Sequence, residues 1–213
     1  PRVLFATDLS RSAERAEAYA CTLAASWGAT LTVMSVLEFP PGLDPEYPVN
    51  RMYLAELMKE ATRGLVELKE RTVARGAVVQ TRIATGIPSE EVLVAAGAEG
   101  TDVIVVGTVG KTGVEHILLG STAERIIRTA PCPVLAVRME RSRTEQDGGR
   151  QPPVEIGRLL VPIDFSEHAA DALQVATSLA RLADHPECLA LHVFFNEASV
   201  SYEGYEDVIR GQE

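Results

Sequence analysis

Short apolar runs of strand length alternate along this chain with stretches of helical periodicity, and that alternation leaves few folds open. A strand followed by a helix that packs back onto the same sheet leads into a parallel neighbour, so the pattern predicts a doubly wound α/β layer. Residues 2–7 are the first apolar run and stop at Asp8; Ser10 and Ser12 then lead into an Ala-rich helical stretch that ends at Gly28. Residues 31–37 read as a second strand, and residues 40–48, rich in Pro, Gly and Asp, as a loop. Leu54, Leu57, Met58, Ala61, Leu65 and Leu68 recur at helical spacing, which predicts a long helix over 51–75 closed by Gly76. Residues 78–84 form a third strand, and Gly86-Ile87-Pro88-Ser89 opens a helix with Glu90 and Glu91 in its first turn, where the helix dipole favours acidic charge. The most apolar strand, 102–106, enters a Gly-rich loop; a helix over 122–128, Pro131-Cys132-Pro133 and a strand over 134–137 follow.

Residues 141–153 are polar, charged and rich in Gly and Pro, with almost nothing to bury, and read as a linker. Beyond it the pattern restarts. Arg158-Leu159-Leu160-Val161-Pro162-Ile163-Asp164-Phe165-Ser166 echoes Arg2-Val3-Leu4-Phe5-Ala6-Thr7-Asp8-Leu9-Ser10 position for position. The echo continues into an Ala-rich helix and a strand over 189–195, then gives way to a short polar tail without a later Gly-rich loop. The expected organisation is a complete domain at 1–140, a linker at 141–155 and a partial second copy at 156–213.

Composition narrows the partners. The chain is 46% hydrophobic and 23% charged, an ordinary globular balance. Its net charge of −10 disfavours a nucleic-acid backbone as a general partner, since that surface calls for dense Lys and Arg. A small anion is compatible, because backbone amides hold phosphate against an acidic background. Cys21, Cys132 and Cys188 are odd in number and form no CxxC pair, which fits free thiols in a reducing compartment. No stretch approaches the ~20 apolar residues of a membrane helix, and the protein is expected to be soluble and cytoplasmic.

The chemistry concentrates in Gly107-Thr108-Val109-Gly110, nine residues further on Gly120-Ser121-Thr122, after the strongest strand and before a helix. Glycine lets backbone approach a ligand closely, and Ser or Thr at a helix start sets a hydroxyl beside unpaired amides. Together these suit phosphate. Asp8 ends the first strand, which in such a topology neighbours the fourth at the switch point where ligands bind; the same carboxylate also suits a helix N-cap. Lys111 lacks the GxxxxGK[ST] frame of a phosphate-loop lysine and reads as a solvent or phosphate-edge charge. His116 reads as a surface residue, and Cys132, between two prolines, as a buried strand-entry residue. No catalytic residue and no metal ligand is assigned.

The spacing Gly107-x2-Gly110-x9-Gly120-Ser121 resembles the ATP-binding signature of the universal stress protein family, G-x2-G-x9-G-(S/T). Lys111-Thr112-Gly113, Ile117-Leu118-Leu119, Glu124-Arg125 and Ala130-Pro131-Cys132-Pro133-Val134-Leu135 extend the similarity, which with Asp8 covers residues 1–138. The resemblance implies a Rossmann-like five-strand parallel sheet of order 3-2-1-4-5, commonly paired through its last strand into a dimer, with ATP between the first and fourth strands and Mg or Mn on the triphosphate. It implies further that Ala6, Thr7 and Asp8 approach the nucleoside and Val33 or its neighbour touches adenine. Val106, Gly107 and Gly110 would hold ribose and phosphates from one side, and Gly120, Ser121 and Thr122 the phosphates from the other. Ala6 stands where the family, like Pro162 of the second copy, often has Pro. The function expected is an ATP-binding stress-response regulator that switches conformation or dimerisation; a slow ATPase or phosphotransferase on the same pocket, and a nucleotide-independent dimerisation scaffold, are the alternatives.

Overall fold

Five strands, β1 (Arg2–Ala6), β2 (Thr30–Leu37), β3 (Val78–Thr85), β4 (Val103–Gly107) and β5 (Val134–Val137), pair in parallel in the order β3-β2-β1-β4-β5. This is the order expected from the sequence. A computed structural model describes residues 1–38, 47–73, 76–108, 119–138, 154, 156–183 and 185–193. The chain divides into two compact units, Pro1–Val154 and Glu155–Glu213.

Central parallel strands are covered on both faces, so they appear in sequence as continuous apolar runs. Val3, Leu4 and Phe5 of β1 and Ile104 and Val105 of β4 are accordingly buried. On one face Leu4, Met34, Ile104 and Val106 meet Val92, Ala95 and Ala96 of α3 (Pro88–Glu99) and Ala123 and Ile126 of α4 (Ser121–Thr129). The alternate strand positions, Val3, Phe5 and Val105, turn to the other face. There α1 (Glu14–Trp27), entered through a 3-10 turn at Arg11–Ala13, supplies the small buried side chains Ala16, Ala20 and Ala24. Gly28, at φ 59°, ends α1 in the left-handed cap that lets the chain drop into β2.

Helix α2 (Pro48–Val73) begins three residues before the periodic stretch, with proline at its first position, where the missing amide costs no helical bond. Its buried residues, Ala61, Leu65, Leu68 and Thr72, all fall in the C-terminal half. That half is joined to α1 by Cys21 Sγ and Thr72 Oγ1 at 3.6 Å and by Arg71 donating to Glu17 at 3.1 Å. Glu17 is buried, and its hydrogen bond holds the Arg71 guanidinium pKa above the ordinary value.

In the second unit β6 (Arg158–Pro162) and β7 (Glu187–Leu191) pair in parallel, joined by α5 (Glu167–Ala180). Ser166 caps α5, its hydroxyl accepting the Ala169 N–H at 3.2 Å. β7 starts two residues before the apolar run and stops at Leu191, because β6 offers five residues to pair and Pro162 faces Leu191 in the last position. The strand expected over 189–195 is not continued at His192 and Val193, which follow β7 without strand pairing; residues 194–195, the linker at 141–153 and the polar tail lie outside the described residues. Among the described residues no helix is long and apolar enough to cross a membrane.

Candidate functional site

The carboxyl end of β1 lies between its two neighbours, with Ala6 opposite Met34 of β2 on one side and Val106 of β4 on the other. The Thr7 N–H extends the ladder by donating to the Met34 carbonyl at 2.9 Å. The chain then reverses through Leu9 at φ 61°, a left-handed conformation that costs a residue with a Cβ roughly 1–2 kcal/mol. Side-chain bonds offset that cost. Asp8 Oδ1 accepts from both the Ser10 N–H (3.0 Å) and the Ser10 hydroxyl (2.5 Å), and the Leu9 N–H donates to Thr7 Oγ1 at 3.0 Å. Ser10 Oγ also lies 2.5 Å from Ser12 Oγ. Packing completes the hold, since Leu9 sits so close over Gly64 of α2 that a Cβ there would come within 2.9 Å of Leu9 Cδ1. Asp8 therefore builds the turn that ends β1, a role compatible with one toward a ligand.

At the end of β4, the Thr108 N–H donates to the Val137 carbonyl at 3.0 Å, carrying the β4–β5 ladder one step past the strand. The Thr108 carbonyl accepts the Gly120 N–H at 2.7 Å, which seats the start of α4 directly on this strand end. The approach is tight: a Cβ on Gly120 would stand 3.3 Å from the Thr108 oxygen. Gly120 is the N-cap of α4 and brings no capping side chain, so the amides of Ser121, Thr122 and Ala123 have no acceptor within the helix. Ser121 is exposed, and Gly107, Gly120 and Thr122 are half-buried. Glu124, in the same turn, accepts two bonds from Arg128 at 3.1 and 2.9 Å, which pairs its charge locally. Beneath this turn Thr108 is 8% exposed, and its Oγ1 has no hydrogen-bond partner among the described residues.

Of the residues expected at the site, Ala6, Thr7, Asp8, Val106 and Gly107 fall along adjacent ends of β1 and β4, and Gly120, Ser121 and Thr122 form the start of α4 on the same end of β4. Val33 lies one register position back, opposite Phe5, and is 0% exposed, so its side chain offers no surface. Gly110, with Val109, Lys111 and His116, lies outside the described residues. Cys132 is half-buried against the core, and desolvation pushes its thiol pKa up, which agrees with a strand-entry residue. No group of three His, Cys, Asp or Glu gathers among the described residues. Ser10, expected only as the lead into the first helix, and Thr108, expected only as part of the Gly-rich segment, also enter this region. A continued period-2 count from Ile104 and Val106 points to Thr108; Ser10 is signalled by the Asp-x-Ser spacing shared by both copies.

Residues 1–138 match the model of the universal stress protein family. Universal stress protein MJ0531 of Methanocaldococcus jannaschii is 33% identical over 138 residues, spanning 64% of this chain and 81% of that protein. The structure of universal stress protein UspA from Lactobacillus plantarum shares the fold with a TM-score of 0.59 at 26% identity, over 64% of this chain and 97% of that one. A universal stress protein solved in complex with cAMP is similar at a TM-score of 0.52 and 25% identity, over 65% of this chain and 97% of that one. Sheet order, the turn at Asp8, the seating of α4 on β4 and these likenesses together show that the chain belongs to the universal stress protein family.

Proposed function

We propose that this protein is an ATP-binding regulator of the stress response, in which nucleotide held across the ends of β1 and β4 biases conformation or dimerisation. One observation carries the reading: the N-terminus of α4, which Gly120 leaves without a side-chain cap, is seated on the end of β4, beside the end of β1, where the strand order reverses. The small Gly120 keeps backbone within reach of a ligand, and the buried, unpartnered Thr108 hydroxyl marks unused hydrogen-bonding capacity below it. The cAMP complex of a similar protein supports a nucleotide as the class of ligand.

In this reading Ala6, Thr7 and Asp8 lie toward the nucleoside, and β2 near Val33 flanks the base. Val106, Gly107 and Gly110 take the ribose and phosphates, and the amides and hydroxyls of Gly120, Ser121 and Thr122 take the phosphates from the helix side. Mg or Mn would ride on phosphate oxygens. As the last strand of the sheet, β5 pairs residues 134–138 with the same strand of a second chain, giving a cytoplasmic homodimer. The division into a nucleotide domain at 1–140, a linker at 141–155 and a partial copy at 156–213 belongs to the same proposal.

Thermal unfolding with and without Mg-ATP tests it. Ligand at a hundred times its Kd should stabilise the folded form by about 2.7 kcal/mol, and mass spectrometry of gently purified, then denatured, protein should recover ATP. No shift together with no recovered nucleotide would end the reading.

A further inference from the structure

Among the described residues the buried hydroxyl of Thr108 has no hydrogen-bond partner, and its direction follows from the sheet. The amides of Ile104 and Thr108 donate to Pro133 and Val137 of the β5 side, so Thr108 keeps the ladder phase of β4. Side chains two apart on a strand share a face. Ile104 and Val106 pack with Ala123 and Ile126 of α4, and Thr108 therefore turns to the α4 face as well. Its own carbonyl holds the N-cap of that helix at 2.7 Å. A buried hydroxyl thus rises beneath the first turn of α4, whose amides need acceptors, and it is itself unsatisfied. An unpaired buried hydroxyl is unfavourable in a fold that gains nothing from it, whereas an anion at the helix start would complete both its bonding and that of the amides.

We infer that Thr108 is a specificity residue for the phosphate of the bound nucleotide, its Oγ1–H donating to a phosphate oxygen lodged at the N-terminus of α4. The inference rests on the nucleotide reading above and adds a contact that tells a phosphorylated nucleoside from a bare one. Removing the donor should weaken ATP and leave adenosine unaffected.

Isothermal titration of the full chain with ATP and with adenosine, alongside ligand-free thermal melting, tests the assignment on Thr108→Val and Thr108→Ser. Thr108→Val preserves shape without the hydroxyl. Its ATP Kd should rise about tenfold or more, the effect of losing a hydrogen bond to a charged group, while its adenosine Kd stays unchanged. Its ligand-free melting temperature should equal or exceed that of the parent, because the atom removed had no partner. Thr108→Ser should bind ATP within about threefold of the parent, restoring the donor. Equal ATP affinity in parent and Thr108→Val would overturn the assignment, as would equal losses for ATP and adenosine. A ligand-free melting temperature lowered in Thr108→Val and rescued by Thr108→Ser would overturn it too, by revealing a structural bond. A parent chain that binds neither ligand would instead remove the nucleotide reading, and this contact with it.

Discussion

The two copies of the strand, turn and helix at the head of each unit share their local stereochemistry and differ where flanking strands and helices bury one copy and not the other. Asp8 and Asp164 each accept from the serine two residues on, at 3.0 Å from its amide and 2.5 Å from its hydroxyl. The residue between is left-handed in both, Leu9 at φ 61° and Phe165 at φ 64°. Thr7 and Ile163 each donate to the adjacent strand, at 2.9 and 2.7 Å. Ala13 and Ala169, and Ala20 and Ala176, are buried at matching helix positions as well, but other positions diverge. Leu4 is flanked by β2 and β4 and is 0% exposed, whereas its counterpart Leu160 is 61% exposed. Leu9 packs against Gly64, while Phe165 is 79% exposed and meets the ring of His192, centroids 4.7 Å apart. The Asp-x-Ser turn is thus written into a few neighbouring residues. Core burial is a property of the strands and helices that arrive from elsewhere.

The largest test of that contrast is a pair of truncations. Leu4→Ala removes a fully packed side chain from a central strand and should cost about 3 kcal/mol, read as a lower urea midpoint. Leu160→Ala should stay within about 0.5 kcal/mol of the parent; equal costs would break the contrast. A smaller test exploits the left-handed turns. Leu9→Gly relieves the backbone but gives up packing onto α2, with a net loss of about 1 kcal/mol. Phe165→Gly gains the relief with little packing to lose, so amide exchange at the start of α5 should slow while exchange at the start of α1 quickens in the Leu9 variant. The smallest effect is a titration. The Ser166 hydroxyl and amide lower the Asp164 pKa, so the bonds' contribution is complete above the unfolded value of about 3.9 and fades as pH falls through the lower folded value. Carboxylate NMR should place the Asp164 midpoint below 3.9, and Ser166→Ala should move it up.

How much could be read in advance follows the same division. β4 was legible because burial on both faces leaves an unbroken run of Val and Ile, and Asp8, Gly107 and Gly120 were legible because strand ends and helix starts demand those residue types at that spacing. The start of α2 was obscured, since Tyr47-Pro48-Val49 resembles the loop before it until Pro48 is seen as a first helical residue. The left-handed Leu9 has no signal of its own, because leucine avoids that conformation unless neighbours compel it. Glu17 was invisible for a similar reason. A carboxylate in an Ala-rich stretch reads as solvated, and only the arrival of Arg71 from another helix explains its burial. Val33 shows the limit from the other side, its strand being evident while its lack of exposed surface depends on packing around it.

Helix α2 carries a mechanical corollary. Its continuous backbone has two unlike ends, a C-terminal half clamped to α1 and the sheet, and an N-terminal half through residue 60 without a buried side chain. Unwinding from Pro48 exposes only side chains that are already half-buried or exposed, but unwinding past Ala61 pulls Leu65 and Leu68 out of the core. Opening of the helix is therefore expected to start at its N-terminal end, where no side chain is buried, and to leave the layer that supports the switch point in place.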